Sequence, residues 1–199
     1  MLQWLTDHSD AIQTLSAVAT AAIWIIYLQL ILSGMRHQRR TEILILVGGG
    51  RGIAARCFVA NLGMDPVYIT SVTVRLHYDH TSETRDITDV QGVGDDAPAW
   101  QRTLQGPMKS VDSRAIGTLE DLLGPALEAA GLSLEAIRHF DLQVAAFTAS
   151  DSEIVAAERG FRLEHSGEGV GVRPLTIETR QIRSLFARKR IRRQLRESL

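Results

Sequence analysis

Hydrophobic and polar positions follow three regimes along this chain, and each predicts a different kind of element. From Ala11 to Leu32 the sequence reads AIQTLSAVATAAIWIIYLQLIL, and no charged side chain falls between Asp10 and Arg36. About 22 residues at a 1.5 Å rise cover about 33 Å, the depth of a bilayer's hydrocarbon core. A buried helix of a soluble domain would be shorter and would keep a polar face. Residues 11–34 are therefore read as one transmembrane helix. A cleaved signal peptide would need a basic leader and small residues after its apolar core. Here MLQWLTDHSD carries two Asp and no Lys or Arg, and Ala17, Ala19 and Ala21 precede the most apolar part.

Beyond residue 41 the pattern shortens to runs of six to fourteen residues with a period near two, the mark of strands. EILILV (42–47) and IAARCFVAN (53–61) flank GGGRG and read as a hairpin. Thr70–Tyr78, with Val72, Val74 and Leu76 alternating, is a strand rich in β-branched residues. Asn61, Gly63 and Pro66 before it suit a turn. A short strand is expected at 84–90 within exposed acidic loops, and one or two more between Trp100 and Ile116. Residues 140–149, 152–165 and 170–178 read as three further strands, the last two joined by a turn at SGEG (166–169).

A helical period interrupts this series once. Thr118-Leu-Glu-Asp121 resembles a capping box opening a helix over LEDLLGPALEAA, with Gly131 at its end. Pro125 predicts a kink or two pieces, and Ser133 a cap for a short helix to about Arg138. The fold class that follows is one N-terminal transmembrane α-helix plus a mainly-β soluble domain. That domain is an antiparallel sandwich or barrel with a short helical insertion. The organisation is 1–10, an extracytoplasmic leader; 11–34, the span; and 35–41, a basic juxtamembrane linker. Residues 42–179 form the β-domain with its insertion at 119–138, and 180–199 a basic helical tail.

Charge sharpens this picture. Arg36, Arg39 and Arg40 follow the span directly, and the last twenty residues hold eight basic side chains. Between residues 41 and 179 lie eleven basic and twenty acidic residues, so the near-neutral total hides a segment of about −9 between two cationic ends. Arginines beside a span are retained on the cytoplasmic side. The expected location is a bacterial inner (plasma) membrane, with the N terminus outside and the domain in the cytoplasm. Cys57 is the sole cysteine, which excludes an internal disulfide and agrees with a reducing compartment.

Candidate contacts come in two sets. Along the span, Gln13, Ser16, Ala17, Thr20, Trp24 and Tyr27 recur at steps of three and four, with Ala21 completing a small-xxx-small pair with Ala17. This face predicts docking against another transmembrane protein or a second copy. Arg36, Arg39, Arg40, Arg188, Lys189, Arg190, Arg192 and Arg193 predict contact with anionic lipid or an acidic partner. The tail lacks the stacking aromatics that nucleic acid would favour. In the tail, Ile182, Leu185 and Phe186 share one face and Ile191, Leu195 and Leu199 another. The first set is expected to dock on the sandwich and the second part to meet something acidic.

Catalytic chemistry finds little footing. No G-x-S-x-G, C-x-x-C or H-E-x-x-H pattern occurs, and GGGRG lacks the following Gly-Lys-Ser/Thr of a phosphate loop. His77, Asp79 and His80 are ligand types for a divalent ion, but spacing of three along a strand sends side chains to opposite faces. No catalytic residue, metal site or cofactor is assigned, and the protein is expected to be non-enzymatic.

Two resemblances bear on residues 36–69. A single span, a basic patch and a strand carrying Asn61-x-Gly63-x-x-Pro66-Val67 resemble a set of bacterial inner-membrane proteins of unassigned function with an immunoglobulin-like soluble part. That resemblance implies location. The spacing of Arg36 and Arg40, followed by Asn61, is similar to the R-x-x-x-R and [DN]-x-S-x-x-G pattern of PilZ barrels. It implies a cyclic-di-GMP-sensing module using Arg36, Arg40 and Asn61. Gly63 stands where that pattern has Ser, and Pro66 where it has Gly.

Overall fold

The computed structural model describes residues 9–38, 41–50, 52–88, 103–150, 153–166 and 169–197. The chain divides into two units, residues 1–40 and 41–199. The described residues of the first form a helix, α1 (Ser9–Gln38), in which Gln13–Gly34 is long and apolar enough to cross a membrane. Its side chains from Gln13 to Gly34 are all exposed. The expected leader up to His8, and Arg39 and Arg40, lie outside the described residues.

The second unit is a two-sheet antiparallel sandwich. The smaller sheet has the order β1 (Ile43–Gly48), β2 (Arg56–Asn61), β6 (Asp112–Thr118). The larger is built on β3 (Val67–Tyr78), β4 (Thr81–Asp86), β7 (His139–Thr148), β8 (Ile154–Ser166) and β10 (Arg180–Gln181). These run in the order β10-β8-β7-β3-β4, with β5 (Gly106–Met108) added to β3 and β9 (Gly169–Pro174) to β8. Alternation explains the layering. Val72, Val74 and Leu76 of β3 point inward with Phe140, Leu142 and Val144 of β7, and meet Ile43, Ile45, Cys57 and Val59 of the small sheet in one core.

Several details differ from the sequence expectation. Strand β4 starts at Thr81, earlier than 84, because Asp79 and His80 take left-handed backbone (φ 40° and 69°) and close a tight hairpin at once. Helix α2 (Leu119–Ala130) is continuous through Pro125. Its stripe of Leu119, Leu122, Leu123, Ala126 and Leu127 is buried, and burying an apolar face of that length outweighs the roughly 3 kcal/mol a proline costs. The Thr118/Asp121 capping box forms as expected, and Gly131 ends the helix at φ 65°. Ser133 makes no side-chain cap, and only a 3-10 turn, Leu134–Ala136, follows.

Both open sides of the sandwich are closed. Helix α2 touches β3, β4 and β6, bridging the sheets along one side. Along the other, β1 presents its unpaired backbone edge to three side chains. Gln181 donates to the Ile43 carbonyl (2.6 Å) and accepts from its N–H (3.2 Å). The Thr179 hydroxyl accepts from the Ile45 N–H (3.1 Å), and the buried Arg159 donates to the Ile45 carbonyl (2.5 Å). An edge strand that would otherwise invite pairing with another chain is thereby satisfied from within.

Candidate functional site: a basic helix and a histidine-lined hollow

On α1, the predicted contact face of Gln13, Ser16, Ala17, Thr20, Ala21, Trp24 and Tyr27 is exposed throughout. The Thr20 hydroxyl donates to the Ser16 carbonyl (2.8 Å), so it costs little in an apolar medium and still offers lone pairs to a neighbour. Arg36 lies in the last turns of the same helix.

The tail divides differently from the sequence expectation. Arg180–Gln181 is a strand on β8, and helix α3 begins only at Leu185 (Leu185–Glu197). The apolar contacts follow the expectation only in part. Ile182 docks as expected on the outer face of the large sheet, but Ile191 and Leu195 join it there, against Ala145, Phe147, Ile154 and Ala156, while Leu185 and Phe186 are 78% and 88% exposed. Alanines on β7 and β8 leave room for the helix, which is why it seats there. Arg188 turns back to Glu153 (2.9 Å). Lys189, Arg190, Arg192, Arg193 and Arg196 remain exposed, a row of donors suited to phosphate or carboxylate.

The rest of that outer sheet face is polar. Arg75 of β3 reaches Glu158 of β8 (3.3 Å) and Asp141 of β7 (3.9 Å), and Arg180 of β10 also pairs with Glu158. His77 meets Asp141 at 2.8 Å and stacks on His139 with ring centroids 4.2 Å apart. Beyond them, at the β3–β4 turn, an open hollow of about 390 Å³ is lined by His77, Asp79, His80, Arg138 and His139. Sequence reasoning singled out His77, Asp79 and His80 but missed His139, Asp141 and Arg138, which β7 and its approach bring alongside. The alternation His139, Asp141, Gln143 on a strand next to β3 was the signal for them. Among the described residues, no three His, Cys, Asp or Glu side chains are placed to hold a metal ion.

Two further buried groups hold the domain. Asn61 is fully buried; its amide donates to the carbonyls of Asp65 (2.9 Å) and Lys109 (3.0 Å) and accepts from the Gly63 N–H (2.9 Å). Both amide hydrogens are spent on joining two loops. Cys57 is buried, and desolvation pushes its thiol up to about 12, far from a reactive thiolate. Desolvation also lowers the Arg159 pKa.

Comparison with family models, with curated proteins and with solved structures finds no match for this chain.

Proposed function

We propose that this is a non-enzymatic, single-pass protein of a bacterial inner membrane, an accessory subunit or adaptor that binds other proteins through its span and its β-domain. The domain faces the cytoplasm on this reading, and no cofactor is involved. One observation carries it: an exposed apolar helix, Gln13–Gly34, bears a polar and aromatic stripe and leads into a domain whose buried polar side chains serve to close the fold. Gln13, Ser16, Thr20, Trp24 and Tyr27 are the contact face in the bilayer, where small and hydrogen-bonding side chains drive helix association. Purification of the untagged full chain from native membranes in mild detergent tests this. A second protein, or a second copy, should co-purify and should be lost when Gln13, Ser16 and Thr20 are all replaced by Leu. A strictly monomeric particle with no companion overturns the proposal.

A further inference from the structure

The strand registers gather several loops at one end of the sandwich. Asn61 of β2 lies opposite both Ile43 of β1 and Asp112 of β6, Val67 of β3 opposite Thr148 of β7, and Phe147 opposite Ile154 of β8. The loops after β2, β5 and β7 therefore share this end with Thr41 and Glu42, where the chain arrives from α1. They are fastened to one another. Asn61 binds the Lys109 carbonyl, Ser110 donates to the Gly63 carbonyl (2.9 Å), and Ser150 donates to the Asp65 carboxylate (3.2 Å). The Leu62 N–H donates to the Glu42 carbonyl (2.8 Å), and a Cβ on Gly63 would sit 2.8 Å from the Thr41 Cα, so only glycine fits there.

This rigid end displays apolar side chains that nothing in the domain covers. Met64 is 65% and Val111 72% exposed, and Leu62 stands out beside them. Val111 does so from left-handed backbone, φ 51°, which a β-branched residue rarely adopts. Phe186 and Leu185, at the start of α3, project from the same end, next to Glu153 and Ile154. Lys109 is exposed on the loop after β5, and the exposed Lys189, Arg190 and Arg192 lie beside Leu185 and Phe186. Three acidic neighbours are already engaged: Asp65 with Ser150, Glu42 with Arg183 (2.6 Å) and Glu153 with Arg188. Asp112 is exposed and accepts from the Ser113 N–H.

We infer that this end of the domain is a lipid-docking surface. Met64, Val111 and Phe186 enter the headgroup region of an anionic bilayer, and Lys189, Arg190 and Arg192 pair with phosphate. The inference rests on the reading of α1 as a span, since only four residues, 39–42, lie in sequence between that helix and β1. Isolated apolar tips on separate loops, with Lys109 on one of them and a row of cations beside Phe186, match a lipid interface, where apolar insertion and headgroup charge act together. The β3–β4 turn at His80 is the opposite end, roughly 35 Å away along the length of β3.

The test uses the full chain, with buried Cys57 retained and one added cysteine carrying an environment-sensitive fluorophore: Met64→Cys, Val111→Cys, Phe186→Cys or His80→Cys. Each is reconstituted into vesicles of phosphatidylethanolamine with phosphatidylglycerol, or of phosphatidylcholine alone. In the anionic vesicles, lipid-borne quenchers should act severalfold more strongly at 64, 111 and 186 than at 80, and added salt should weaken the effect at 186. Equal quenching at all four positions overturns the inference. So do labels that stay wet in both vesicle types yet are shielded in native membranes, which would assign the surface to an acidic protein. Release of the chain from membranes by alkaline carbonate would instead remove the span. Binding of that released chain to phosphatidylglycerol vesicles through 64, 111 and 186 would keep the docking surface, and failure to bind would end both.

Discussion

His139 stands on β7 with the His77 ring stacked against it, Arg162 opposite on β8 and Asp141 two residues along. Desolvation first, and then the neighbouring His77, lower its pKa below the ordinary 6.5, with Arg162 acting the same way and Asp141 opposing. The sign follows from proton counting. Between the lowered folded value and about 6.5, the unfolded chain binds a proton that the folded chain refuses, so stability falls as pH falls through that window. His139→Gln should flatten this acid-side loss, because glutamine has nothing to protonate. Thermal unfolding of the full chain in detergent, from about pH 8 to about pH 5, reads it; an unchanged pH profile in the variant contradicts the assignment. Asn61 shows the limit of residue-level reading. In sequence it is equally a turn residue or the last arm of a ligand motif, and only the arrival of Lys109, 48 positions later, spends its amide.

At the scale of elements, α2 owes its start to reciprocal bonds. The Thr118 side chain accepts from the Asp121 N–H (3.1 Å), and the Asp121 carboxylate accepts from the Thr118 N–H (2.8 Å). The Thr118 N–H on the carboxylate first, and then the Thr118 side chain, lower the Asp121 pKa, so this stabilisation is present above the ordinary carboxylate range and is lost as pH falls through the depressed folded value. Thr118→Ala should cost about 1 kcal/mol, seen as a lower denaturant midpoint with an unchanged slope. No shift in the midpoint would mean the helix is held by its buried leucines alone. That cap was legible because its signal is local, as were the strands whose alternation runs over several residues. What escaped the sequence depends on distant partners. The two-residue strand β10 exists because Arg180 and Gln181 find β8, with Glu158 and Ala157 opposite them. The seat of α3 was legible only at Ile182, for the same reason: periodicity shows two apolar faces but not which of Leu185 and Phe186 or Ile191 and Leu195 meets the alanines of β7 and β8. The histidine hollow was half legible, since its β3 side lies in one run of sequence and its β7 side 60 residues later.

For the whole molecule, charge is distributed with respect to one apolar helix. Cations follow the apolar stretch Gln13–Gly34 closely and return at the C-terminal end of the chain, while the segment between carries about −9. The two cationic clusters act on different things. Translocation is governed by Lys and Arg within about 15–20 residues of a span, so on the proposed topology Arg36, Arg39 and Arg40 set the orientation, and the row on α3, roughly 150 residues further on, does not. The proposed topology therefore makes a sharp prediction. A cysteine at the exposed turn position, His80→Cys, should resist a membrane-impermeant maleimide in intact cells and react once the membrane is opened. Changing Arg36, Arg39 and Arg40 together to Gln removes the retained charge, and a fraction of the chains should then label from outside. Neutralising Lys189, Arg190 and Arg192 should leave the pattern as it was. Labelling of the otherwise unaltered His80→Cys chain in intact cells would place the domain outside. The cationic end of the sandwich would then meet the opposite leaflet, and the arginines after α1 would need another role.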